Sequence, residues 1–91
     1  MKVEFDRSFE RSLSKIRTKS VFSKIEELII ELEKTNSLSE LPSIVKLSGF
    51  KNYYRARIGV YRVGIEKINE DTIRFIIVAH RKDINKSFPN K

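Results

Sequence analysis

The stretch YYRARIGVYRVGIEKI, residues 53–68, decides the fold, because its apolar and basic side chains alternate with a period of two. That period sends successive side chains to opposite faces of a strand. Gly59-Val60 supplies a two-residue hairpin turn, which glycine accommodates. The register then sets Ile58 opposite Tyr61 and Arg57 opposite Arg62. One face reads Tyr54, Ala56, Ile58, Tyr61, Val63, Ile65; the other reads Tyr53, Arg55, Arg57, Arg62, Gly64, Glu66. The apolar face must be covered, which leaves the arginines on the open one.

Working outward, strands are expected over Tyr53–Ile58, Val60–Ile68 and Thr72–Ala79, the last nearly continuous hydrophobe after the break Asn69-Glu70-Asp71. Upstream, Lys2–Phe5 reads as a short strand, and Asp6 as the N-cap of a helix running to about Arg17. Phe9, Leu13 and Ile16 recur on one face of that helix. Ser20 is the expected cap of a second helix reaching about Lys34, with Val21, Ile25, Leu28, Ile29 and Leu32 as its stripe and Ile30 off it. Thr35–Gly49, rich in turn-formers, reads as a connection. The order is β-α-α-β-β-β: an α+β fold in which a two-helix hairpin packs on one face of a twisted, mainly antiparallel sheet, followed by a short C-terminal tail. Residues 1–91 form one domain on this reading.

Charge divides the chain. Residues 1–45 hold eight basic and eight acidic residues, whereas 46–91 hold eleven and four, so the whole excess of +7 belongs to the second half. Such an asymmetry suits a polyanion partner. Zero cysteines exclude a disulfide scaffold and a thiolate metal site and fit the reducing cytoplasm; one histidine makes a histidine metal cluster implausible. No apolar run approaches the roughly 18 to 20 residues of a membrane span, and the charged start MKVEFDR carries no signal peptide.

Arg57 opposite Arg62 is a local conflict, because like charges across a ladder destabilise by something under ~1 kcal/mol. An anion between the two guanidiniums reverses that sign. The strand ending in His80-Arg81-Lys82 brings a further group toward them. A two- or four-residue loop before Thr72 would put Arg81 beside Arg62, and a three-residue loop would put His80 there.

The segment YRARIGVYRVGIEKINEDTIRFIIVAHRKDI, residues 54–84, resembles the core of RelE/ParE-type toxins of toxin–antitoxin pairs: a basic strand, Gly-x-Tyr-Arg on the next, then a hydrophobic strand ending in His-Arg. The ending HRKDI…FP lies nearer the messenger-cleaving RelE branch than the gyrase-poisoning ParE branch. The resemblance implies a cytoplasmic, metal-independent endoribonuclease with no cofactor, acting on messenger RNA in the ribosomal A site. It also implies a cognate antitoxin, held in a toxin–antitoxin hetero-oligomer. By position, Arg55 and Arg57 match the basic residues that orient the RNA backbone. Arg62 matches the arginine that stabilises the reacting phosphate, and Arg81 the one that assists the leaving oxygen. Lys82 and Lys86 add positive charge around the tail.

The family often carries a tyrosine in the tail, where this chain reads Asp83-Ile84-Asn85. Asparagine orients a hydroxyl or a base but does not accept the 2′-OH proton. Three readings follow: His80 serves as base, the chain is an attenuated or inactivated ribonuclease, or it binds its target without cutting. The ParE-like alternative, gyrase inhibition by protein contact, needs no general base.

Overall fold

The computed structural model describes residues 1–89; residues 90 and 91 lie outside the described part. In chain order the elements are β1 (Lys2–Phe5), α1 (Arg7–Ser14), α2 (Lys19–Lys34), a 3-10 turn (Leu38–Glu40), β2 (Ile44–Lys46), β3 (Tyr53–Ile58), β4 (Tyr61–Lys67), β5 (Thr72–His80) and α3 (Ile84–Ser87). The strands form one sheet in the order β1-β5-β4-β3-β2, with β1 parallel to β5 and every other pair antiparallel. The α+β architecture is the expected one.

The helical hairpin covers the apolar face. Phe9 from α1, Ile16 from the turn after it, and Val21, Ile25, Leu28 and Leu32 from α2 share one core with Ala56, Ile58, Val63, Ile65, Phe75 and Val78. Ile30 lies outside it and is exposed. Asp6 caps α1 as expected, its carboxylate accepting from the Ser8 N–H at 3.1 Å and the Ser8 hydroxyl at 2.6 Å. The Met1 ammonium donates to the Leu32 and Thr35 carbonyls, each at 2.8 Å, at the C-terminal end of α2, where carbonyls lack helical partners.

Several boundaries differ from expectation. Helix α1 stops at Ser14, three residues before Arg17, and Ile16 reaches the core from the turn that follows. Thr18, in extended backbone, stands at the N-cap of α2; Ser20 is already inside the helix. The Thr35–Gly49 connection contains the edge strand β2, in which only Ile44 faces the core. Three residues are too few for a period of two to show.

The largest departure lies in β5. Lys67 opposite Ile73, Glu66 opposite Arg74 and Ile65 opposite Phe75 continue a ladder that would bring His80 to the arginine face. Between Gly64 and Ile65 the register shifts: Gly64 faces Ile77, leaving Ile76 as the extra residue of a β-bulge. Every later side chain of β5 changes face. His80 pairs with Tyr61 on the helix side, and Ala79 pairs with Arg62. Strand β1 ends at Phe5, opposite Phe75, so the outer edge of β5 beyond that point needs other partners. Helix α1 provides them: the Ser8 hydroxyl donates to the Ile76 carbonyl, and the Ser12 hydroxyl accepts from the Val78 N–H at 3.0 Å. Two serines four apart on one helix face thus sit against the bulged edge.

Candidate nucleic-acid interface

The hairpin register is the expected one, with Gly59 at φ +59° and Arg57 directly opposite Arg62. Arg55, Arg57 and Arg62 line one groove with Pro42, Ser43 and Val45, a concavity of about 310 Å³. Its outer wall is β2, where Val45 pairs with Arg55 and stands exposed. That wall was invisible in the sequence because the strand itself was. A larger concavity of about 450 Å³ lies elsewhere, between Met1, the 36–39 segment and Tyr54; of its cations, Lys67 pairs with Glu70 at 3.6 Å and the Met1 ammonium is held by backbone carbonyls.

Arg62 is the centre of the charge. Its Nη1 donates to the Gly59 and Tyr61 carbonyls, both at 2.9 Å, which ties the guanidinium back over the turn. Partial burial lowers its pKa from the ordinary guanidinium value, and the charges of Arg57, Arg55 and Arg81 lower it further. An arginine so placed stays protonated, with three further guanidiniums adding to the positive potential around it. Among the described residues no carboxylate forms an ion pair with Arg55, Arg57, Arg62 or Arg81.

The end of β5 contributes Arg81 to this cluster, by its charge on Arg62, while its N–H donates to the Val60 carbonyl at 2.7 Å. His80 turns away. Its ring meets Tyr61 edge-on at 5.7 Å on the helix side, and its Nδ1 accepts the Lys82 N–H at 3.1 Å. Lys82 is exposed in the turn after β5, and Lys86 is exposed on α3.

The tail folds back over the arginine face, which is therefore less open than the alternation suggested. Asn85 Oδ1 accepts from Arg55 Nη1 at 2.7 Å, so the residue in the usual tyrosine position joins the cluster through a neutral amide. Phe88 is buried against Gly64 and against the Tyr53 ring, 5.2 Å between centroids. Sequence reasoning passed over this anchor, although a glycine inside a strand was a signal for close approach by another group.

Known proteins bear on this geometry. The family described as the ParE toxin of the type II toxin–antitoxin system parDE matches residues 3–85. Toxin RelE3 of Methanocaldococcus jannaschii is 43% identical over 90 residues, which span 98% of this chain and 100% of that protein. The crystal structure of a RelB-RelE antitoxin–toxin complex from Methanococcus jannaschii contains a chain with TM-score 0.78 and 40% identity, covering 94% of this chain and 99% of its own. The archaeal RelE-RelB complex of Pyrococcus horikoshii OT3 shares the fold at TM-score 0.70 and 24% identity, over 88% of this chain and 93% of that one. On sequence and fold together, this chain belongs to the RelE/ParE superfamily and is a toxin of the type II toxin–antitoxin class.

Proposed function

We propose that the chain is an attenuated, metal-independent endoribonuclease that cuts messenger RNA in the ribosomal A site in the cytoplasm and is neutralised by a cognate antitoxin. The observation that carries this reading is the groove of about 310 Å³ lined by Arg55, Arg57 and Arg62, with no carboxylate paired to any of them among the described residues. Attack of a ribose 2′-oxygen on the adjacent phosphorus builds negative charge on the phosphate and on the departing 5′-oxygen. Fixed guanidiniums stabilise both, and one such group is worth about 10² to 10³ in rate. Arg62, already held by two backbone carbonyls, meets the reacting phosphate. Arg55 and Arg57 grip the strand on one side, and Arg81 serves the leaving oxygen.

The acid–base inventory accounts for the attenuation. Asn85 does not titrate, and His80 lies on the helix side of the sheet with Nδ1 occupied by a backbone N–H. The 2′-OH proton then passes to solvent water, a slower route than transfer to a positioned base, while the exposed ammonium groups of Lys82 and Lys86 add positive charge around the tail. The antitoxin is supported by the RelB-RelE complex of the 40% identical neighbour, and the basic groove suits an acidic segment of such a partner.

The test is a map of messenger 5′ ends in a translation extract with this chain, Arg62→Ala and Asn85→Tyr. The expected pattern is weak new ends within codons for the chain as it stands, none for Arg62→Ala, and strong ones for Asn85→Tyr. New ends from neither the chain nor Asn85→Tyr would overturn the ribonuclease reading. The match to the ParE family supports a second reading, gyrase inhibition by protein contact. In that case a supercoiling assay would show inhibition while RNA stays intact.

A further inference from the structure

We infer that Gly64 and Phe88 are positioning residues of the arginine groove: the Phe88 ring seated on Gly64 holds the tail where Asn85 fixes the Arg55 guanidinium. The inference rests on the phosphate-site reading above and extends it to residues that touch no substrate.

Gly64 lies inside β4, and unlike Gly49 and Gly59 it has no positive φ, so no turn requires glycine there. A glycine in a strand interior weakens the strand, and its usual reason is the close approach of another group. Here that group is the Phe88 ring. A Cβ on Gly64 would lie 2.5 Å from Phe88 Cγ and 2.7 Å from both Cδ atoms, far inside van der Waals contact. Phe88 is 3% exposed and Ile84 1%, and the Phe88 N–H donates to the Ile84 carbonyl at 2.8 Å. Two buried anchors therefore bracket one helical turn. Between them Asn85 faces outward, and its Oδ1 receives Arg55 Nη1 at 2.7 Å.

The chemistry follows from rotamer freedom. A free arginine gives up side-chain entropy whenever it grips a phosphate, whereas one already held gives up less. A neutral amide oxygen holds the guanidinium without cancelling its charge, which a carboxylate at the same position would do. The anchor lies on the polar face, away from the core packed under the helices, so its effect concentrates on the groove.

The experiment measures binding of a short single-stranded RNA with 2′-O-methyl riboses, which cannot be cleaved by 2′-oxygen attack, alongside thermal melting. The proteins are the unaltered chain, Arg55→Ala, Asn85→Ala, Phe88→Ala and the Asn85→Ala/Phe88→Ala pair. Asn85→Ala is expected to weaken binding roughly three- to tenfold, the net size of one exposed hydrogen bond, with melting unchanged. Phe88→Ala lowers melting and weakens binding by no more than Asn85→Ala does, and adds no loss of binding in the Asn85→Ala background. A merely structural role would not give that non-additivity. Gly64→Ala is expected to behave as Phe88→Ala does. If Phe88→Ala fails to fold, the exposed change Asn85→Ala still decides the matter. Full-strength binding by Asn85→Ala, or a separate full loss from Phe88→Ala in its background, would overturn the inference while leaving the groove intact. Full-strength binding by Arg55→Ala would overturn the phosphate-site reading of that residue and the inference with it.

Discussion

Arginines stand at both ends of one face of the sheet, and they are treated in opposite ways. At the β1 end Arg74 lies across from Glu66, and its Nη2 and Nε meet Glu4 Oε1 at 3.1 and 3.3 Å. At the hairpin end Arg55, Arg57, Arg62 and Arg81 gather without a carboxylate among the described residues. Half-exposed cross-strand pairs such as Glu4–Arg74 contribute about 0–1 kcal/mol, and opposed like charges cost a similar amount. Energies so small do not force either arrangement on the fold. The paired end is what structural arginines look like in this protein, and the unpaired end is a feature the fold tolerates rather than needs. Positive potential left unrelieved at one end, beside a groove, is the feature on which the proposed RNA-phosphate site rests.

The comparison breaks most sharply on one substitution at each end. Arg62→Ala is expected to lower RNA cleavage by about 10² or more while stability holds or rises slightly, because a repulsion is removed. Arg74→Ala is expected to leave cleavage nearly unchanged and to cost up to about 1 kcal/mol of unfolding free energy. Cleavage rates in a translation extract and denaturant unfolding of both variants check this. Equal losses of activity at the two ends would end the distinction.

Salt sharpens it. Binding of single-stranded RNA falls with ionic strength by a slope of about 0.7 per neutralised phosphate. Removing Arg57 or Arg81 is expected to reduce that slope by about one such step, whereas removing Arg74 leaves it in place. Anisotropy titrations across a salt series measure the slopes.

The sequence supported the two faces of the β3–β4 hairpin because alternation is a local property, and each residue from Tyr53 to Glu66 except those in the turn votes for the same register. Arg55, Arg57 and Arg62 were legible together for that reason. The position of His80 was not. The three residues 69–71 between Ile68 and Thr72 would place it beside Arg62, and the bulge at Ile76 reverses that. Ser8 and Ser12, nearly seventy residues away, bond the outer edge of β5 at and just beyond the bulge. Alternation within β5 contains no trace of them. Nor does it reveal that the polar tail brings Phe88 onto Gly64, since that contact joins a glycine with no special backbone to a residue beyond the last strand. Strand β2 escaped for a simpler reason: it has a single buried residue, Ile44.

The smallest expected effect belongs to the paired end and concerns acid. The Asp6 carboxylate accepts two hydrogen bonds from Ser8, and these hold its pKa below the ordinary aspartate value, with smaller help from the charges of Arg74 and Arg11. The folded protein therefore binds that proton less readily than the unfolded chain does. The stability Asp6 contributes is present in full above the unfolded aspartate range, about 3.9, and is lost as pH falls through the lower folded value. In an Asp6→Asn variant the amide oxygen would still accept a hydrogen bond from the α1 N-terminus but would not titrate. The difference in unfolding free energy between the two proteins is expected to favour aspartate at neutral pH and to shrink on acidification. At the hairpin end nothing comparable titrates: Arg62, though its pKa is lowered, keeps its charge throughout the same range. RNA binding measured on folded protein across that range should then change little through Arg62 itself. A loss of binding that tracks the Asp6 titration would show that the two ends of the face are coupled, and the division between structural and functional arginines would have to be redrawn.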